Sequence, residues 1–95
     1  MFQVLFTKQS LKDLERIKAA NLTEKVKSLV SVLKENPYQN PPEYEKLVGS
    51  LSGYYSRRIN VKHRMVYSVN DSTKVVKILR LWSHYEWRFI DTLLK

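Results

Sequence analysis

The sequence predicts an α+β domain in which a helical hairpin packs on one face of a largely antiparallel sheet. Three observations lead there. Hydrophobic periodicity switches from strand-like to helix-like and back, giving the order β-α-α-β-β-β. The two helical stretches follow one another so closely that they must form an antiparallel hairpin. A chain of 95 residues holds one core rather than two.

The elements follow in order. Phe2 to Thr7 alternates, with Phe2, Val4 and Phe6 on one side, and reads as a strand. Thr7 is placed to cap the helix over residues 8–20, whose apolar stripe is Leu11, Leu14 and Ile17. Asn21 and Glu24 resemble a capping box opening a second helix, with Leu22, Val26, Leu29, Val30 and Leu33 on one stripe. Asn36-Pro37 ends that helix, because the residue before proline is biased away from helical geometry. Residues 36–46, with Pro37, Pro41 and Pro42, read as an irregular connection, and Ser52-Gly53 as a turn. Strands are expected over Tyr54–Val61, His63–Val69 and Val75–Tyr85, with Asn70-Asp71-Ser72 turning between the last two. Residues 1–85 thus form the domain. Residues 86–95, with Trp87, Phe89, Ile90, Leu93 and Leu94, form an extension expected to be a short docked helix or a partner surface.

Composition narrows the function. There is no cysteine, which excludes a disulfide framework, a zinc ribbon, an iron–sulfur site and a cysteine nucleophile. Two histidines and dispersed acids argue against a dedicated metal site, and no cofactor is expected. No stretch approaches the roughly 18 apolar residues of a membrane span. The first residues lack the basic and small-residue features of a secretory signal, so a cytoplasmic location is expected.

Lys plus Arg number 17 against nine Asp plus Glu, a net charge of +8. The excess is local: residues 46–80 carry eight cations and one acid, Asp71. This segment is interleaved with Tyr54, Tyr55 and Tyr67 and followed by Trp82, rings able either to stack on bases or to fill a core. The combination points to a polyanionic partner, with nucleic acid foremost.

Metal-free RNA cleavage requires a base for the 2′-hydroxyl, a cation for the phosphorane and an acid for the departing 5′-oxygen. Few residues here offer those functions. Glu45, beside Lys46, is either a surface carboxylate or a general base. Arg57, Arg58 and Arg64 lie on adjacent predicted strands, and a guanidinium fork suits phosphate. Strand alternation puts Arg57 with Tyr55 and Ile59, the candidate core side, and Arg58 with Tyr54 and Ser56. His84 is either a hydrogen-bonded structural histidine or an acid with a suitable ordinary pKa. If the last strand is regular, Arg80, Trp82 and His84 share a face. Tyr85 can stack or hydrogen-bond at the phosphate, or sit at the rim, while His63 reads as structural.

The run from Leu51 through Ser-Gly-Tyr-Tyr-Ser-Arg-Arg-Ile to Asn60, continued by Val61-Lys-His-Arg-Met-Val-Tyr67, closely resembles the central segment of YoeB toxins in the RelE/ParE superfamily. Glu45-Lys46-Leu47 upstream and Trp82-Ser83-His84-Tyr85 downstream extend the resemblance in order. It covers about residues 1–85 and implies a RelE-like fold. It also implies the toxin of a type II toxin–antitoxin pair: a ribosome-dependent, metal-independent endoribonuclease that cuts messenger RNA in the A site and inhibits translation. Carried over, Glu45 is the base, Arg64 stabilises the phosphorane and His84 is the acid. Arg58 is a second basic position, and Tyr85 acts at the scissile nucleotide. Some members carry a lysine three residues after the base; Val48 stands there here, leaving Lys46 as the candidate substitute for binding RNA.

The resemblance further implies a YefM- or Phd-like antitoxin with a flexible acidic segment, a homodimer, and operator DNA binding only through the antitoxin. Two other functions are compatible with the same fold. One is a ParE-like inhibitor of DNA gyrase, which needs no base, phosphorane-stabilising cation and acid together. The other is a non-catalytic RNA-binding module, which would tolerate loss of Glu45 and His84.

Overall fold

The computed structural model describes residues 1–82. Within them two helices pack on a five-stranded, mostly antiparallel sheet, the expected α+β architecture with one additional strand. The first strand, β1 (Gln3–Phe6), turns Phe2, Val4 and Phe6 toward the helices, as its alternation predicts. Helix α1 (Lys8–Ala19) starts at Thr7, whose Oγ1 accepts the Ser10 amide at 3.1 Å.

The buried face of α1 is rotated from the predicted one. Ser10, Asp13 and Ile17 are buried, whereas Leu11 is 52% exposed. Asp13 explains the shift: its carboxylate accepts from Arg80 Nε at 2.9 Å, Arg80 Nη2 at 3.3 Å and the Leu81 amide at 3.0 Å. A buried acid secured this way turns the helix as an apolar residue would, yet is invisible to a hydrophobic count.

The junction between helices also differs. Asn21 does not cap the second helix; it closes the first. It adopts φ +62°, its amide donates to the Lys18 carbonyl, and the Leu22 amide donates to the Ile17 carbonyl. This is a Schellman closure, in which asparagine tolerates the left-handed position. Helix α2 (Thr23–Glu35) then begins without a side-chain cap and buries Val26, Leu29 and Leu33. It ends at Asn36, whose extended backbone precedes Pro37 as anticipated.

The connection read over residues 36–46 ends in a short strand, β2 (Tyr44–Lys46), paired antiparallel with β3 (Tyr54–Arg58). Three residues are too few to show alternation, and Glu and Lys are poor strand formers. Pairing with β3 creates this strand. The next strand stops at Arg58 rather than Val61, because Ile59 and Asn60 both donate to the His63 carbonyl while Asn60 Oδ1 accepts the Lys62 and His63 amides. That side-chain-supported turn leads into β4 (Arg64–Asn70). Asn70 Oδ1 accepts the Ser72 and Thr73 amides, and β5 (Val75–Arg80) follows. The predicted extension of β5 to Tyr85 stops at Arg80 within the described residues.

The strand order is β1-β5-β4-β3-β2, with β1 parallel to β5 and the other neighbours antiparallel. The helix-facing core contains Ile17, Leu29, Leu33, Met65, Tyr67 and Ile78. The opposite face carries a smaller cluster of Leu47, Leu51 and Val66. A 3₁₀ turn over Gly49–Leu51 brings Leu51 there, and Gly53 at φ +97° supplies the reversal into β3.

Candidate active site

The site lies where β2, β3 and β4 meet, on the sheet face away from the main core. Register places Glu45 opposite Ser56 and Arg58 opposite Arg64. Arg64 Nη2 donates to Glu45 Oε1 at 3.0 Å, while Arg64 Nε donates to Ser56 Oγ at 2.6 Å. The Arg64 side chain is 14% exposed and that of Glu45 62% exposed, so the pair joins a recessed cation to an accessible carboxylate.

These residues open onto a cleft of about 770 Å³. Its polar and charged lining includes Lys25, Glu43, Glu45, Arg58, Asn60 and Arg64. Two arginines directly across adjacent strands repel one another, a local cost that a bound anion would reverse. Glu45 offsets part of that charge through its ion pair with Arg64. The arrangement therefore offers a carboxylate within hydrogen-bonding distance of a guanidinium, with a second guanidinium alongside.

The structure brings Glu45, Arg58 and Arg64 together. Lys46 lies elsewhere: it pairs with Tyr55 on the alternate face of β2 and is absent from the cleft lining. His84 and Tyr85 lie outside the described residues, as do the expected domain boundary at residue 85 and the extension over residues 86–95. The Trp82 carbonyl accepts the Arg64 amide at 3.3 Å, so the last described residue lies beside the cleft arginine.

Arg57 has a different role from its neighbour. It is fully buried, with Nε donating to Tyr67 Oη at 3.1 Å, Nη1 to the Pro42 carbonyl, and Nη2 to the carbonyls of Pro37 and Gln39. Tyr67 Oη donates in turn to the Pro37 carbonyl, and the guanidinium lies 4.9 Å from the Tyr44 ring centre. This buried network ties the proline-rich connection to the sheet immediately before β2. The Tyr67 phenol is pushed up to about 12, with burial the main cause and the Arg57 charge opposing it.

The aromatic residues serve packing more than an exposed stacking platform. Tyr67 is buried and stacks on Tyr55 at 5.6 Å, and Trp82 stacks on buried His63 at 3.9 Å. Arg80 points to Asp13 rather than forming a continuous face with Trp82. The basic segment is accordingly divided: Arg57 and Arg80 are buried structural cations, while Arg58 and Arg64 line the cleft.

A family model described as the YoeB-like toxin of bacterial type II toxin–antitoxin systems matches residues 6–85. The chain belongs to that family. It is a type II toxin of the YoeB/RelE kind. Toxin YoeB of Synechocystis sp. is 34% identical over 65 residues, covering 68% of this chain and 73% of that relative. A YoeB/ParE toxin from Agrobacterium tumefaciens has a TM-score of 0.80 at 31% identity, covering 88% of this chain and 100% of that one. The heterotetrameric YoeB–YefM toxin–antitoxin complex from Staphylococcus aureus contains a similar chain, with a TM-score of 0.74 and 32% identity over 90% of this chain and 99% of that one.

For this YoeB-like toxin, sequence reasoning names Glu45 and Arg64 as separate candidates without pairing them, and gives Ser56 no role beyond a shared face. The alternating strand pattern signals that face; the hydrogen bond to Arg64 requires the β3–β4 register. Lys25 is a second omission, since nothing in helix periodicity connects α2 to the cleft that it lines.

Proposed function

We propose that this toxin is a ribosome-dependent, metal-independent endoribonuclease that cuts messenger RNA in the A site and inhibits translation. The observation carrying this reading is the Glu45–Arg64 pair in a cleft that also presents Arg58. On engagement, phosphate oxygens take over the guanidinium and release the Glu45 carboxylate. Glu45 removes the 2′-hydroxyl proton, and the 2′-oxygen forms a bond to phosphorus. Arg64 stabilises the charge of the phosphorane. The bond from phosphorus to the 5′-oxygen breaks as His84 supplies a proton to that oxygen. The products are a 2′,3′-cyclic phosphate and a 5′-hydroxyl end.

Arg58 binds an adjacent phosphate, Tyr85 contacts the scissile nucleotide, and Lys46 acts farther along the RNA from its separate face. The ribosome supplies the messenger RNA and part of its orientation. The toxin works in the cytoplasm, forms a homodimer, and is restrained by a YefM- or Phd-like antitoxin through which operator DNA is bound. The YoeB–YefM complex of the S. aureus relative supports the antitoxin assignment.

The deciding experiment maps cuts in a defined messenger RNA on programmed ribosomes. The parent should leave A-site cuts with cyclic phosphate ends. Glu45→Gln and His84→Gln should slow single-turnover cleavage by about 100-fold or more, consistent with general acid–base catalysis. Arg64→Ala should remove detectable cutting while remaining folded by circular dichroism. Absence of cleavage by folded, antitoxin-free parent, or full activity in folded Arg64→Ala, overturns this reading.

A further inference from the structure

We propose that Ser56 is a positioning residue, holding the Arg64 guanidinium in its working orientation throughout the reaction. This rests on the ribonuclease reading above. Ser56 is fully buried at the centre of β3, with Glu45 across one strand pair and Val66 across the other. Its Oγ receives the Arg64 Nε–H at 2.6 Å.

Two contacts orient Arg64 in the free protein, and they differ in permanence. The contact to Glu45 uses Nη2 and a largely exposed carboxylate. Exposed ion pairs are weak restraints, and this one must yield when Glu45 takes a proton and phosphate approaches Arg64. The contact to Ser56 uses Nε, on an atom withdrawn from solvent, and neither proposed step consumes it. A guanidinium is planar, so fixing the Nε–H direction also fixes the plane in which the Nη groups meet phosphate. Without Ser56 Oγ, the long side chain regains torsional freedom as the carboxylate departs.

Ser56→Ala should lower the single-turnover cleavage rate by about 10- to 100-fold, the range expected when a reacting group loses alignment. Ribosome affinity should remain within about twofold, giving a kcat effect without a matching KM effect. In an Arg64→Lys background, which has no Nε–H, Ser56→Ala should add less than about a twofold loss. Nitrogen-detected NMR supplies a second readout: the Arg64 Nε–H should exchange slowly in the parent and rapidly in folded Ser56→Ala.

An undiminished rate in Ser56→Ala with an active parent overturns the proposal. So does an equally protected Nε–H in both proteins, or full multiplication of the two substitutions' effects. If the parent cuts no RNA, the ribonuclease reading fails. The NMR comparison then decides whether Ser56 holds Arg64, and equal protection overturns that part independently.

Discussion

Arg57 and Arg58 are neighbours of the same chemical type, yet the pleat sends one to a buried network and the other to the cleft. Alternation made that division legible, since it grouped Arg57 with Tyr55 and Arg58 with Ser56. It could not reveal what Arg57 meets, because the Pro37, Gln39 and Pro42 carbonyls carry no side-chain signature. Arg57→Met keeps much of the apolar stem but removes every donor. It should destabilise the protein by about 3 kcal/mol, because buried acceptors lose charged partners. Denaturant unfolding checks this. Cleavage by the remaining folded fraction should also fall, since the network precedes the strand bearing Glu45. Glu45 itself was legible as a candidate through its place beside the basic segment, whereas its contact with Arg64 depends on a strand pairing that the sequence reading did not include.

At the scale of elements, a hydrophobic stripe predicted both helices but misplaced the inward face of α1. Asp13 is the reason. Its three bonds to Arg80 and the Leu81 amide span most of the chain in sequence separation and join α1 to the end of β5. Asp13→Ala should cost about 3–5 kcal/mol, as expected when one member of a buried ion pair is removed and the other remains. A double substitution that also replaces Arg80 with Met should recover part of this loss in equilibrium unfolding. Strand β2 was missed for a different reason: its identity comes from the neighbouring strand, and three residues carry too little pattern of their own. Its short length also limits the open sheet edge available for unwanted pairing.

Across the whole molecule, formal charge overstates the electrostatic unity of the basic segment. Burial separates Arg57 and Arg80 from the cleft cations, a distinction that residue counting cannot make. Burial also links stability to alkaline titration. The Tyr67 phenol is raised from 10.0 to about 12, chiefly by burial, so folded protein retains a proton that unfolded protein releases first. Its contribution is fully present below about pH 10 and is lost as pH rises through about 12. Tyr38 is shifted in the same direction by burial and by its hydrogen bond to Asp71. Chemical unfolding between pH 9 and 12 should therefore show falling stability, with a shallower decline in Tyr67→Phe.

The Arg57 network has a further consequence for mutational tolerance. It recognises the proline-rich connection through main-chain oxygens, which every amino acid possesses. Side chains at exposed Gln39 and Asn40 can therefore diversify without erasing the acceptors that moor the segment. A deep substitution scan read out by folded abundance should find those positions permissive and Arg57 restrictive. New surface chemistry could thus be installed beside the cleft while its carboxylate-bearing strand keeps its mooring.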